Sequence, residues 1–173
     1  MAQTQILISD EEYLAFERAS ETRHQYLDGR IYAMAGESPE HSTICFNLAA
    51  ILKPQIRKKN CRGFSPNMKV QTSRSGLYSY PDAMVVCGEP VFLDKHRDVL
   101  LNPNVIIEVL STSTESYDRG RKFFRYQKIK TLTDYLLIAQ DEPLIEHFTR
   151  LPNQRWELSF TSGLTSSLLP LQA

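Results

Sequence analysis

Val105-Ile106-Ile107-Glu108-Val109-Leu110, followed by Asp118-Arg119-Gly120-Arg121-Lys122-Phe123 and then Tyr135-Leu136-Leu137-Ile138, decides the fold. The first and third pieces are short continuous apolar runs, the pattern of strands covered on both faces. Between them, Asp118 to Ile129 reads as a helix rich in Arg and Lys. Upstream, Ala83-Met84-Val85-Val86-Cys87 is another apolar run, and Met68-Lys69-Val70 alternates like a strand.

The N-terminal part adds clear punctuation. Ser9 stands three residues before Glu12, a capping box that opens a helix to about Ala19. His24 to Met34 reads as two short strands joined at Asp28-Gly29, a dipeptide suited to a tight hairpin turn. Ser38-Pro39 starts a helix whose apolar face carries Ile44, Leu48, Ile51 and Leu52, and Pro54 is expected to end or kink it near Lys53. Leu144–Phe148 and Trp156–Phe160 are candidates to extend the sheet at its edge. The order of helix, strands, helix and strand indicates a mixed α/β sandwich. No repeat, low-complexity tract or linker divides residues 1–173, which are read as one domain.

A hydrophobic fraction of 42% with 23% charged residues suits a packed core and excludes a disordered chain. Lys+Arg and Asp+Glu are both 20, which excludes a strongly basic, histone-like partner for polyanions. The charge is nevertheless uneven. Residues 1–40 hold eight acids against three bases, whereas Lys53, Arg57, Lys58, Lys59 and Arg62 form one basic run and Arg119 to Lys130 another. These runs fit solvated helix faces; they also fit a grip on phosphate backbone, with Arg119, Arg121 and Arg125 as candidates. No apolar run approaches the roughly 18 residues that cross a bilayer, and the first residues lack a signal-peptide pattern, so a cytoplasmic protein with no membrane partner is expected. Cys45, Cys61 and Cys87 form no Cys-x-x-Cys pair and the four histidines are scattered, so the thiols are expected to be buried and reduced, without structural zinc.

Two carboxylates are out of place. Asp82 follows Pro81 at the head of one apolar strand, and Glu108 interrupts another. A buried carboxylate needs a cation, a donor or a metal nearby. An oxygen-rich pair on neighbouring strands can seat Mg2+, which can activate water against a phosphodiester. The alternative is structural: Asp82 capping a turn and Glu108 paired with an arginine. Residues two apart share a strand face, so position 110 would offer a third group, but Leu110 stands there. Lys122 on the following helix can return its ammonium to the strand end; it can equally form an exposed i, i+4 pair with Asp118.

Tyr80-Pro81-Asp82, Ile107-Glu108-Val109-Leu110-Ser111-Thr112-Ser113-Thr114 and Asp118-Arg119-Gly120-Arg121-Lys122-Phe123, in that order, resemble the Uma-type restriction-endonuclease family of the PD-(D/E)XK nuclease superfamily. The resemblance runs nearly end to end. It takes in His24 to Tyr32, Ser38-Pro39-Glu40-His41 and Tyr135 to Ile138. It implies a restriction-endonuclease-like αβββαβ core with a mixed sheet, preceded by an N-terminal helix and β-hairpin. It also implies a homodimeric endonuclease dependent on Mg2+ or Mn2+ that hydrolyses DNA. By position, Asp82 and Glu108 would be catalytic and hold the metal, and Lys122 would replace the superfamily lysine missing at position 110. Gln25, His41 and Asp118 would lie near the site.

The chain departs from the family pattern in three places. Gln25 and Asn67 stand where family members carry Glu and Asp, which keeps an oxygen but loses the charge. Thr112 stands where Pro is frequent. The first two departures imply weaker Mg2+ binding. They open a second reading, a weakened or inactive nuclease-fold protein that binds nucleic acid or a protein partner.

Overall fold

Ser9 caps the first helix as its sequence dictates: its hydroxyl accepts from the Glu12 amide at 3.2 Å, and the Glu12 carboxylate accepts from the Ser9 amide at 2.7 Å. In the computed structural model, which describes residues 7–57, 59–74 and 76–162, that helix is α1, Asp10–Ala19. The strands β1, His24–Leu27, and β2, Arg30–Ala33, follow, joined through Asp28 and Gly29, whose φ angles of 48° and 85° are those of the tight primed hairpin turns. A side chain at position 29 would also strike Leu7, 2.8 Å from the ideal Cβ position.

The second helix, α2, spans Pro39–Arg57, with the Ser38 hydroxyl accepting from the His41 amide at 3.1 Å. It runs three residues past Pro54, contrary to the expected stop near Lys53. Proline removes one N–H, but the carbonyl this orphans, on Ala50, sits on the exposed side and can turn to water. Ile56 beyond it packs with Leu48 and Leu52 against the sheet, and that packing holds the last turn.

Next come β3 (Cys61–Phe64), β4 (Lys69–Gln71), β5 (Leu77–Ser79), β6 (Ala83–Cys87), β7 (Val99–Leu100) and β8 (Val105–Val109). A composite helical segment comprises α3, Glu115–Tyr117, a π-helical turn, Asp118–Lys122, and α4, Phe123–Tyr126. The strands β9 (Asp134–Ile138), β10 (Leu144–Arg150) and β11 (Trp156–Ser162) complete the described chain.

The main sheet has the order β11-β10-β9-β8-β6-β3. Within it only β8 and β9 pair in parallel, as strands joined by a helical crossover must. In chain order α2, β3, β6, β8, the helical segment and β9 form the αβββαβ core, so the molecule is a restriction-endonuclease-like mixed α/β fold. The alternation of β8 sorts its side chains: Val105 and Ile107 pack with Leu48 and Leu52 of α2, and Ile106 with Phe123 and Tyr126 of the crossover. The alternating stretch Met68–Val70 forms a strand one residue further on, Lys69–Gln71, and it lies in a second sheet of order β2-β1-β5-β4-β7. The aromatic cluster Tyr13, Tyr26 and Tyr78 fastens α1 to this sheet. Among the described residues, no helix is long and apolar enough to cross a membrane.

The thiols depart from expectation. The antiparallel register of β3 and β6 sets Cys61 opposite Cys87, and the two are joined as a disulfide across 26 residues; Cys45 alone is free. Closing a loop of that length restricts the unfolded chain by about 3 kcal/mol. Reduction, or Cys61→Ser, is therefore expected to lower Tm by several degrees in a calorimetric scan. An unchanged Tm would show that the bridge adds nothing to stability.

Candidate active site

Extending the β6–β8 register from Ala83 opposite Ile107 by one residue sets Asp82 opposite Glu108. The pair is locked by the backbone, since the Val109 amide donates to Asp82 Oδ2 at 2.7 Å. Glu108, only 4% exposed, lies on the same strand face as Ile106 and so points toward the crossover helix. The π-helical turn answers from above. Lys122 Nζ lies 2.9 Å from Glu108 Oε1 and 2.9 Å from Asp118 Oδ1. Asp118 and Lys122 are 3% and 4% exposed, so their i, i+4 pair is buried and not a solvated surface contact. Such π-turns recur at functional sites, where they re-aim side chains out of the regular helical spacing.

Glu108 has a second partner. Tyr126 donates its hydroxyl to Glu108 Oε1 at 2.7 Å, and the Ser79 hydroxyl lies 2.8 Å from that of Tyr126. On the other side of the strand end, His41 Nε2 of α2 is 3.2 Å from Asp82 Oδ2.

Electrostatics here are dominated by carboxylates: Glu108 and Asp118 share the ammonium of Lys122, and Asp82, opposite Glu108, pairs with His41. Burial pushes the Glu108 carboxyl well above the usual range, Asp118 and Asp82 push the same way, and Lys122 pulls it back only in part. Burial works against the Lys122 charge, but Glu108 and Asp118 outweigh it and hold the ammonium protonated. His41 is raised to about 10, chiefly by Asp82 and then by Cys45, which makes it an imidazolium at neutral pH.

These groups open on a cleft of about 820 Å³ lined by Gln25, His41, Asp82, Glu108, Asp118 and Lys122 among others. Every residue that the sequence nominates as catalytic, metal-binding or near the site thus faces one space. Further carboxylates, Glu37, Glu115, Asp141 and Glu142, line it against Arg23, Arg119 and the His41 imidazolium besides Lys122. An acidic cleft of this kind repels a phosphodiester until cations neutralise it.

The basic residues behave differently from expectation. Arg119 is held by Glu115 at 2.6 Å and Glu146 at 2.8 Å, and Arg125 makes a two-pronged pair with Asp28 in the hairpin turn. Arg121 is exposed and, among the described residues, pairs with no carboxylate. The three arginines therefore do not form one free phosphate-binding patch; two of them brace the crossover helix. Asn67 also stands apart from these groups. It sits exposed in a turn closed by the Met68 amide on the Ser65 carbonyl, and it does not line the cleft. Lys58 of the first basic run lies outside the described residues.

Sequence reasoning missed three contributors. Tyr126 was readable in principle, because it follows Lys122 by four residues on the helix that covers Glu108. Ser79 was not, since its contact depends on the second sheet. Gln140 donates to the Leu110 carbonyl and accepts from the Ser38 hydroxyl at 3.0 Å, tying the loop after β8 to the start of α2.

Comparison with known proteins agrees with this architecture. A family model, Uma2, described as "Putative restriction endonuclease", matches residues 10–173. Two uncharacterized proteins of Synechocystis sp. (strain ATCC 27184 / PCC 6803 / Kazusa) are similar: one is 35% identical over 94% of this chain and 92% of its own length, the other 34% identical over 86% and 77%. Among solved structures, the chain resembles that of "a putative nuclease belonging to DUF820" from Anabaena variabilis ATCC 29413, with a TM-score of 0.69 at 18% identity over 87% of this chain and 83% of that one.

Proposed function

The chain belongs to the Uma2 family of "putative restriction endonucleases", and from that premise we propose that it is a divalent-metal-dependent nuclease hydrolysing phosphodiester bonds of DNA. The observation that supports this most is the meeting of Asp82, Glu108 and Asp118 in one open acidic cleft, with Lys122 between Glu108 and Asp118 and His41 beside Asp82. Three carboxylates against the Lys122 ammonium and the His41 imidazolium leave a surplus of one negative charge, and a dication would neutralise it while favouring the ionised form of Glu108. The donors are all oxygens, the set that Mg2+ and Mn2+ prefer. Asp82 and Glu108 would hold the ion, Asp82 through Oδ1, which has no protein partner among the described residues. A dication there supplies Lewis-acid stabilisation of the attacked phosphate and lowers the pKa of a bound water.

The protein's own groups do the rest. Val109 and Tyr126 fix the two carboxylates in place through their hydrogen bonds. Lys122, charged and held between Glu108 and Asp118, offers positive charge to the phosphate as it gains negative charge. His41, protonated beside Asp82, can donate to a phosphate oxygen from the opposite wall. The test is conversion of supercoiled plasmid to nicked or linear forms with Mg2+ or Mn2+, abolished by EDTA. No conversion with either ion, or conversion unaffected by Glu108→Gln, overturns the reading.

One observation favours the second reading, a nuclease-fold protein with weakened metal binding. Gln25 lines the cleft, so the acid that the family pattern implies at this position would stand beside the proposed cation site. Gln25→Glu is expected to tighten Mn2+ binding about tenfold, equivalent to about 1.4 kcal/mol, as read by calorimetric titration. Unchanged affinity would mean that position 25 does not contribute to the cation site, and that its amide does not weaken the enzyme.

A further inference from the structure

His41 and Cys45 are spaced i, i+4 on α2 and so project from one face of that helix. The face meets Asp82, the residue that precedes β6. His41 Nε2 lies 3.2 Å from Asp82 Oδ2, and its Nδ1 lies 3.6 Å from Cys45 Sγ. One donor atom from each of the three residues lies within 4.8 Å of the other two. We propose that His41, Cys45 and Asp82 form a site for a thiophilic divalent ion of the zinc type, which shares Asp82 with the all-oxygen site and competes with it.

The donor chemistry separates the two sites. Mg2+ selects hard oxygens and retains waters, and it has no use for a thiolate. A set of one sulfur, one imidazole nitrogen and one carboxylate oxygen is instead a zinc set, with three protein ligands and a fourth position open to the cleft. Two ligands at i, i+4 on a helix can reach one ion, the spacing that helical zinc motifs use. A tetrahedral ion with bonds of ~2.0–2.3 Å needs donors roughly 3.5 Å apart, so the donors, now within 4.8 Å of one another, must draw together around one His41 ring nitrogen as the ion enters. Glu37 Oε2 lies 3.7 Å from His41 Nδ1, a further carboxylate beside the set.

Binding balances simply: His41 releases its imidazolium proton, Cys45 releases its thiol proton, and both go to solvent as the ion enters. Asp82 then serves zinc and is withdrawn from the magnesium site. The histidines and cysteines look scattered in the chain because only the helical pitch and the strand start bring these three together.

The ion-binding part stands on its own; only the inhibitory part rests on the proposed nuclease function. Titrating Co2+ into the metal-free full chain, with the Cys61–Cys87 bridge intact, is expected to give a near-ultraviolet thiolate-to-cobalt charge-transfer band that saturates at one equivalent. Zn2+ should bleach it. Cys45→Ser and Cys45→Ala should abolish it, whereas Glu108→Gln should retain it. Absence of the band in the unmodified protein, or its survival in both Cys45 variants, overturns the site whether or not the chain cuts DNA. In the cleavage assay, Zn2+ should inhibit the Mg2+-driven reaction of the wild type, and Cys45→Ser should cleave normally without zinc and resist it. Equal inhibition of both proteins overturns the competition through Asp82.

Discussion

Glu108→Gln and Asp82→Asn are each expected to lower plasmid cleavage by about 10³-fold, equivalent to about 4 kcal/mol of transition-state stabilisation. Both substitutions keep size and hydrogen-bonding capacity. An amide at position 108 can still accept from Tyr126, and one at position 82 can still accept from Val109; what is lost is the carboxylate charge, toward a dication and toward the Lys122 or His41 partner. The decisive feature is the contrast with stability. Because burial pushes Glu108 toward its neutral form, ionising it in the folded protein costs free energy, and an amide removes that cost. Lys122 still keeps Asp118 as a counter-charge. Glu108→Gln should therefore melt at or above the wild-type temperature while cleavage collapses. Full cleavage would end the catalytic assignment, and loss of cleavage together with unfolding would make Glu108 a structural residue.

Much of the core was readable because it depends on local pattern. Ala83–Cys87 and Val105–Val109 are apolar runs of strand length, so a carboxylate at the head of one and inside the other was conspicuous. Leu110 shares the strand face of Glu108, as two-residue spacing dictates, and packs in the cluster of Phe123 and Tyr126. What escaped depends on pairings across long stretches of chain. The strands β5 and β7, three and two residues long, have no periodicity to read and exist only through their neighbours. The Cys61–Cys87 bridge follows from strand register. Arg125 looked free for phosphate because its partner, Asp28, is 97 residues away. Charge runs in a sequence show where cations are, but not which anions the fold brings to them.

Lys122→Met should be the most destabilising single change in the cleft. It keeps the length of the side chain and removes the cation that lies 2.9 Å from both Glu108 and Asp118. Removing one partner of a buried ion pair leaves an uncompensated charge and typically costs about 3–5 kcal/mol. Here two carboxylates lose their shared partner, and the lower dielectric of the interior magnifies their repulsion. Denaturant unfolding should show this loss at neutral pH. Two rescues follow from the same electrostatics. Adding Glu108→Gln to Lys122→Met removes one of the stranded charges, so the double variant should be more stable than Lys122→Met alone, with a coupling energy of about 1–3 kcal/mol. Mn2+ should raise the Tm of Lys122→Met more than that of the wild type, because the ion then supplies the neutralisation that the ammonium gave. If Lys122→Met unfolds at the wild-type denaturant concentration, Lys122 does not neutralise the carboxylates, and the charge surplus that supports dication binding would have to be counted again.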